Sequence, residues 1–207
     1  SALSGGGVSA AGATVIDGSQ FDGNTAQYSG GGLQASQSLT VTASQFLGNS
    51  ASIGGGLAQY VGRAALINTL FARNAATSTI GAGAFFESPE QQIIVNSTFA
   101  ALGRSNASAI HVMDGTMVIA NSIVANHAFG IGALESEVME GFNLFFDNGE
   151  NMSTSPCMFP LSLAGGQDAA GLIAQLGAQA LDPSRLASLC PLPARSAVSC
   201  ATSTTSF

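Results

Sequence analysis

The phrase Phe-x-x-Asn recurs in the first part of this chain at a constant interval of 25 residues. Its three copies are Phe21–Asn24, Phe46–Asn49 and Phe71–Asn74. Glycine triplets at 30–32 and 54–56 follow the first two copies. Self-similarity at a fixed period of this length predicts a solenoid, in which each repeat forms one coil and packs against its neighbours. We therefore expect the Phe and Asn residues of the phrase to form ladders that run from coil to coil.

Weaker copies extend the repeat towards residue 149. If the Phe of each phrase is the reference, there is one apolar reference residue in each coil: Phe21, Phe46, Phe71, Phe99, Val124 and Phe146. These residues are separated by 25, 25, 28, 25 and 22 positions. We attribute the long interval to a loop inserted at residues 85–90, where Ser, Pro and Glu interrupt the pattern.

A short apolar segment precedes each reference residue and predicts a strand. The residues five positions before the reference are all aliphatic and are expected to point inward: Ile16, Val41, Leu66, Ile94 and Ile119. The residues three positions before the reference include several asparagines: Asn68, Asn96, Asn121 and Asn143. We expect this second column to be inward as well, because stacked Asn side chains can hydrogen-bond from coil to coil. An inward Asn96 would not accept a glycan, although it begins an Asn-x-Ser/Thr sequon.

Short strands joined by Gly- and Asn-rich turns predict an all-β fold, a parallel β-helix of about six coils over residues 1–149. Residues 150–207 lack the repeat and are predicted to form an irregular or partly helical C-terminal cap or tail. Within them, residues 168–181 carry apolar residues at helical spacing, with Asp168 as the candidate N-cap. Such a cap would cover the open end of the solenoid.

The charge balance limits the classes of partner. Twelve carboxylates, five arginines and no lysine give a net charge of −7. We expect no nucleic acid and no anionic membrane surface as partner, because both attract concentrated Lys and Arg. No run approaches the ~18–20 apolar residues that cross a bilayer, so no direct membrane span is predicted. The chain opens at Ser1 in the middle of a repeat, which favours a mature or excised segment of a longer precursor.

All three cysteines lie in the last quarter of the chain, at Cys157, Cys190 and Cys200. Without a CxxC pair or a nearby His they do not form a zinc site. We expect one disulfide between two of the three in an exported protein, and the spacing leaves the pairing open.

The pairing of Gly-Gly-Gly-Leu at 54–57 with Ser-Gln-Phe-Leu-Gly-Asn at 44–49 resembles the repeats of polymorphic outer-membrane proteins. It is also similar to the repeats of choice-of-anchor-type bacterial surface proteins, over roughly residues 5–150. The resemblance implies a right-handed parallel β-helix, export to the periplasm, cell surface or extracellular space, and an adhesion-related role. It transfers no catalytic residue.

Parallel β-helices also include polysaccharide lyases and hydrolases, whose chemistry needs carboxylates that converge in one groove. The densest acidic group here is Glu135, Glu137 and Glu140, which is typical of either a divalent-cation site or a solvated loop. We favour the solvated loop, and we read His111 and His127 as isolated histidines rather than general bases. The sequence therefore predicts a protein that is not an enzyme and has no cofactor or metal; a polysaccharide-active enzyme is the alternative, and carbohydrate is a second class of ligand to consider.

One surface pattern points to binding. From the third coil onward, the outward positions of the predicted strands are apolar, and they include Ile67, Ile93, Val95 and Val118. Contiguous apolar patches mark interaction surfaces. These residues are expected to contact a partner protein or a second copy, unless the C-terminal segment covers them. The function predicted is a non-enzymatic structural or adhesive β-helix module, a candidate subunit of a larger surface assembly.

Overall fold

The computed structural model describes residues 2–154 of the chain. Within that range the secondary structure consists of β-strands, with no helix. The strands are β1 (Ala2–Ser4), β2 (Val8–Ala10), β3 (Thr14–Asp17), β4 (Gln20–Asp22), β5 (Ala26–Ser29), β6 (Leu33–Ala35), β7 (Leu39–Thr42), β8 (Gln45–Leu47), β9 (Ser50–Ile53), β10 (Leu57–Gln59), β11 (Ala64–Ile67), β12 (Leu70–Ala72), β13 (Ala75–Ile80), β14 (Ala84–Glu87), β15 (Gln91–Val95), β16 (Thr98–Met113), β17 (Thr116–Ala120), β18 (Ile123–Leu134), β19 (Glu137–Gly141), β20 (Leu144–Phe146) and β21 (Glu150–Thr154).

The strands stack in parallel as a β-solenoid, which confirms the predicted fold class. One sheet has six strands in the order β3-β7-β11-β15-β17-β19, and we number coils 1 to 6 by these strands. A four-stranded sheet has the order β1-β5-β9-β13. The eleven-stranded sheet contains the remaining strands, because the long strands β16 and β18 join its two ladders. No helix in the described range is long and apolar enough to cross a membrane.

The interior includes two ladders that the repeat predicts. The rings of Phe21, Phe46, Phe71 and Phe99 stack with centroids 4.6 Å apart and planes within 3–4° of parallel. The predicted aliphatic ladder is also inward: Val41, Leu66, Ile94 and Ile119 are fully buried, and Ile16 packs partly against them. In coil 6 the equivalent position is occupied by Glu140, which pairs in register with Ile119. A charged residue therefore ends the aliphatic ladder.

The reference residue predicted for coil 6 is wrong by one position. Val124 pairs in register with Phe145, which packs partly buried against the core, whereas Phe146 points outward. The interval is therefore 21 residues rather than 22. The shortening occurs between coils 4 and 5, where the register interval falls from 25 at Phe99 to 21 at Ser108. Phe145 to Asn148 is itself a Phe-x-x-Asn phrase, so the sequence contained the correct register.

The insertion predicted at residues 85–90 is also largely misplaced. Phe85 and Phe86 lie within β14, in register with Ala58 and Gln59 of β10. The register interval is 25 at Ala76, but it is already 27 at Ile80, so two extra residues form an irregularity within β13. It reaches 28 at Gln92, which leaves one extra residue between β14 and β15. A bulge absorbs extra residues without a separate loop.

The second Asn column is exposed, which corrects the prediction that it points inward. Asn68, Asn96 and Asn121 lie in the turn after each strand of the six-stranded sheet, with φ of 53°, 53° and 51°. Gly18, Ala43 and Phe142 are the equivalent turn residues of coils 1, 2 and 6, and their φ is also positive. The left-handed conformation costs most residues about 1–2 kcal/mol, and Asn and Gly tolerate it best. The left-handed backbone thus explains why Asn recurs here, and Asn121 Nδ2 also donates a hydrogen bond to Asn96 Oδ1 from coil to coil. The reason given against a glycan on Asn96 does not hold, because Asn96 is exposed.

The buried polar column lies one residue later. Its hydroxyl and amide side chains accept hydrogen bonds from the backbone N–H one coil earlier, at 2.9–3.2 Å. The acceptors are Ser44, Ser97, Ser122 and Asn143. Predicted Asn143 is therefore a half-buried acceptor in this column.

The glycine triplets allow the backbones of adjacent coils to approach closely. A Cβ built on Gly31 would lie 2.2 Å from the carbonyl oxygen of Gly55, one coil away. No side chain fits there because the obstacle is backbone, which cannot rotate aside. These residues set the corner between the four-stranded sheet and the eleven-stranded sheet.

The boundary predicted at residue 149 moves slightly. Glu150–Thr154 forms β21 and pairs with Phe129 to Ala133 of β18, so these residues belong to the solenoid. The rest of the predicted C-terminal cap, its helix at 168–181 and the cysteine pairing lie outside the described residues.

Candidate interaction surfaces

The four apolar residues predicted as an interaction site come together on the outward face of the six-stranded sheet. Ile67 pairs in register with Val95, and Ile93 pairs with Val118. Ile93 and Val95 are only 7% and 8% exposed, whereas Ile67 and Val118 are half-buried. The predicted patch therefore exists as a contiguous apolar surface, but its two central side chains are not open to a partner in this structure.

A second apolar surface was missed from the sequence. It consists of Ile123 of coil 5 and Phe142, Leu144 and Phe146 of coil 6, and we call it the C-terminal apolar face. Leu144 and Ile123 are neighbours in register on the outward side of β20 and β18. The exposed fractions of these side chains are 42% for Ile123, 39% for Phe142, 56% for Leu144 and 63% for Phe146.

The same face is polar at the other end of the solenoid. The register column that contains Leu144 has exposed Gln20 in coil 1 and exposed Gln45 in coil 2. The column that contains Phe146 has exposed Asp22 in coil 1 and then becomes apolar from Leu47 onward. Its members in coils 3 to 5 are small: Ala72, Ala100 and Ala125. This face therefore changes from polar to apolar along the solenoid.

The sequence indicates this surface only if Phe145, rather than Phe146, is the inward reference residue of coil 6. With Phe146 as the inward reference, Phe145 would have pointed outward and Leu144 inward. The phrase Phe145 to Asn148 gives the correct alternation and places Leu144 and Phe146 outside.

Residues of both charge signs border the C-terminal apolar face in the chain. Arg73 directly follows Ala72, and Arg104 lies in β16 between Ala100 and Ser105. Residues 105–154 contain six carboxylates and no Arg or Lys. Glu140 lies just before β20, where its Oε2 accepts a hydrogen bond from Asn143 Nδ2 at 3.1 Å. Asp147 directly follows Phe146, and Glu150 begins β21. Elsewhere, Glu90 in the turn before β15 forms an exposed salt bridge with Arg63, in which Glu90 Oε2 lies 3.5 Å from Arg63 Nε.

The acidic residues considered as a cation site do not converge. Glu137 and Glu140 are three positions apart in β19, so their side chains leave opposite faces of the strand. Glu135 lies in the preceding turn with φ of 51°. Among the described residues, no group of three or more His, Cys, Asp or Glu side chains is arranged to hold a metal ion.

The two histidines have separate structural settings. His127 is buried at the position of coil 5 where other coils have the Asn of Phe-x-x-Asn, and its backbone N–H donates to Asn148 Oδ1 at 3.0 Å. Burial lowers the pKa of His127 to about 4, although the backbone of Ala107 acts in the opposite direction. His111 is half-buried against Phe85, with ring centroids 6.1 Å apart, and burial lowers its pKa too. Within residues 2–154, no hydrogen bond or ion pair joins either histidine to a carboxylate of the kind that orients a catalytic histidine.

Comparisons with protein-family models, with curated proteins and with solved structures found no match to this chain. The likeness to polymorphic outer-membrane protein repeats therefore rests on the motifs and their spacing.

Proposed function

We propose that this chain is a non-enzymatic structural or adhesive module of an exported protein, and that it binds partner proteins through the outward faces of its solenoid. The observation that carries this proposal is the C-terminal apolar face, where large apolar side chains are 39–63% exposed on otherwise regular coils. Exposed apolar patches on a rigid scaffold mark interaction surfaces more often than accidents of packing.

The scaffold itself supports this role. The Phe ladder and the Asn and Ser columns connect each coil to the next, so the outward side chains are held on regular strands. Sites on strands are positioned more precisely than sites on loops. A stiff, extended sheet of this kind suits a subunit of a larger surface assembly, located at the cell surface, in the periplasm or outside the cell. The motif likeness to exported repeat proteins agrees with that location.

Site-specific photocrosslinking in the source cells tests the proposal. A photoreactive phenylalanine analogue replaces Phe146 on the apolar face, or Gln45 on the polar part of the same sheet. We expect protein adducts from position 146 and none from position 45. Val118 provides a third position, on the half-buried face of the six-stranded sheet. Equal adducts at positions 146 and 45, or none at any position, would contradict the proposal.

The enzyme alternative has a direct test as well. The purified chain is incubated with a panel of plant and bacterial polysaccharides, and new reducing ends and unsaturated products are measured. We expect no release above buffer. Turnover that disappears in a Glu137→Gln plus Glu140→Gln variant would show that the chain is a polysaccharide-active enzyme.

A further inference from the structure

We propose that the C-terminal apolar face and the two coils before it form an interface between two copies of this chain. The copies pack face to face about a two-fold axis that runs along the strands, between coils 4 and 5. This inference rests on the proposed function and names the partner as a second copy. Two observations carry it: the order of large and small side chains along the face, and the opposite charges at its two ends.

The column that ends at Phe146 is complementary to itself in size. The two-fold axis places coil 6 of one copy opposite coil 3 of the other, and coil 5 opposite coil 4, while each column stays opposite itself. The member of this column in coil 3 is the small, half-buried Ala72, and its members in coils 4 and 5 are Ala100 and Ala125. The exposed Phe146 ring therefore packs over Ala72 of the second copy, and the two alanines face each other at the centre.

The neighbouring column extends the apolar contact. Leu70 of coil 3 is the register equivalent of Leu144 of coil 6, and Thr98 of coil 4 is that of Ile123 of coil 5. The same axis places Leu144 on Leu70 of the second copy and Ile123 on Thr98. Exposed apolar side chains thus leave water in the pair. The exposed glutamines of this column lie in coils 1 and 2, outside the overlap.

Charges of opposite sign lie at the two ends of the face. Arg73 follows Ala72 in coil 3 and Asp147 follows Phe146 in coil 6, so the two occupy the same turn position, and both are exposed. Their backbones are left-handed, with φ of 59° and 49°, at a position where coils 1 and 2 have glycine. The left-handed conformation is unfavourable for a side chain such as Arg, so the turn itself does not favour this residue.

The two-fold axis pairs these charges, because it places Arg73 opposite Asp147 of the second copy on both sides of the axis. Asp147 also interacts within its own chain, and a carboxylate accepts several hydrogen bonds, so both interactions are compatible. Arg104 of coil 4 is placed opposite coil 5, where residues 116–134 contain no Arg or Lys. Glu140 is outside the pairing, because it continues the inward ladder. A basic or an acidic peptide would match one end of the face, whereas a second copy matches both.

Sedimentation equilibrium of the full chain tests the self-association. The contact is limited to coils 3 to 6, which span about 14 Å, so we expect a weak dimer with a Kd between about 1 μM and about 1 mM. Phe146→Ser removes an exposed ring, so the fold should persist, as thermal melting verifies. We expect this variant to dimerise at least about tenfold more weakly than the parent. Gln45→Ser, on the polar part of the same sheet, is the matched control and should dimerise as the parent does.

A second pair of variants tests the charge pairing. Arg73→Gln removes the arginine at the coil 3 end of the face. Arg63→Gln is the matched control, because it removes the same charge from an exposed arginine that pairs with Glu90 in another turn. Exposed ion pairs contribute little each, so we expect Arg73→Gln to weaken the dimer about threefold and Arg63→Gln to leave it unchanged.

Photocrosslinking of the purified chain maps the geometry. A photoreactive phenylalanine analogue at position 146 should give a covalent dimer, and mass spectrometry should locate the crosslink in residues 70–73 of the second copy. The same analogue at position 45 should give no covalent dimer.

Four results would each overturn the inference. The chain could remain a monomer at about 1 mM. The Phe146→Ser variant could dimerise as tightly as the parent. The Arg73→Gln variant could dimerise as tightly as Arg63→Gln. The crosslink from position 146 could lie in coil 6 of the second copy, which requires a different axis.

These outcomes are distinguishable from failure of the proposed function. If the purified chain is monomeric while position 146 still crosslinks to another protein in the source cells, the proposed function stands and the second copy is wrong. If polysaccharide turnover is found while the dimer responds to the variants as expected, the proposed function fails and the interface stands.

Discussion

Asn49 provides the sharpest test of how the repeat stabilises the coils. Its side chain is fully buried, and its amide makes four hydrogen bonds. The Nδ2 group donates to the carbonyl oxygen of Phe21 at 2.9 Å and to Asn74 Oδ1 at 3.0 Å. The Oδ1 atom accepts from the backbone N–H and the side-chain amide of Asn24, both at 3.0 Å. The amide therefore connects coil 2 to both of its neighbours.

The substitution Asn49→Ala leaves two backbone groups without these partners, the Phe21 carbonyl and the Asn24 N–H. An orphaned buried polar group costs about 1–3 kcal/mol, so the two groups together should lower the free energy of unfolding by about 2–6 kcal/mol. The Asn74 Oδ1 atom still accepts from the backbone N–H of residue 49, at 2.9 Å, so its loss of the Asn49 side chain adds little to the cost in free energy of unfolding. Urea unfolding followed by far-ultraviolet circular dichroism measures the difference.

Asn68 is the matched control because it repeats along the chain just as regularly but lies exposed in the left-handed turn. Asn68→Ala should cost about 1 kcal/mol through the backbone alone, and Asn68→Gly should cost less. If Asn68→Gly destabilised the protein as much as Asn49→Ala, or if Asn49→Ala cost under about 1 kcal/mol, the assignment of the two columns would be refuted.

Three further predictions concern the interior. Phe71→Ala removes a ring stacked 4.6 Å from both neighbouring rings and should cost about 3–5 kcal/mol in the free energy of unfolding, measured by the same urea titration; a cost near zero would contradict the ladder. Gly31→Ala places a Cβ 2.2 Å from the Gly55 carbonyl and should prevent folding or cost several times more than Gly23→Ala, which has open space and strains only φ; equal losses would argue against the close approach. The buried neutral His127 should make stability fall as pH drops from about 6.5 to its folded pKa of about 4, because the unfolded chain takes up the proton first. Relative to His127→Asn, the parent should lose up to about 3 kcal/mol across that window and nothing above it, and identical pH profiles of the two proteins would contradict the buried neutral state.

The fold was predictable because the period of the repeat equals the number of residues in one coil. Phe21, Phe46 and Phe71 recur every 25 residues, and the aliphatic residues five positions earlier fixed the inward face of the preceding strand. The roles of the asparagines were not predictable from recurrence alone. Asn49 and Asn68 both belong to regular columns, but one satisfies buried backbone groups and the other adopts a left-handed turn. Periodicity identifies a position without saying whether its side chain or its backbone conformation is required.

Register explains why the candidate site was only partly found. The alternation of the strands correctly places Ile93 and Val95 on one face with Ile67 and Val118. It does not predict that Ile93 and Val95 are buried, because alternation gives the side of the sheet and not the exposure of the side chain. The interval from Val124 to its register partner Phe145 is 21 residues, so the reference residue predicted for coil 6, Phe146, is one position too late. A slip of one residue exchanges the two faces of a strand, so Phe146 was placed inside and the exposed surface was overlooked.

The central claim is that repeated inward residues hold the coils together while the varying outward residues bind. Adjacent Phe145 and Phe146 test it in one paired measurement, since one packs against the core and the other is exposed on the C-terminal apolar face. Each is changed to Ser, the urea midpoint is measured, and protein adducts from a photoreactive phenylalanine analogue at position 144 are compared on the folded protein. We predict that Phe145→Ser lowers the free energy of unfolding by about 2 kcal/mol or more, whereas Phe146→Ser leaves it within about 0.5 kcal/mol and weakens binding. Destabilisation by Phe146→Ser with unchanged binding would contradict the account.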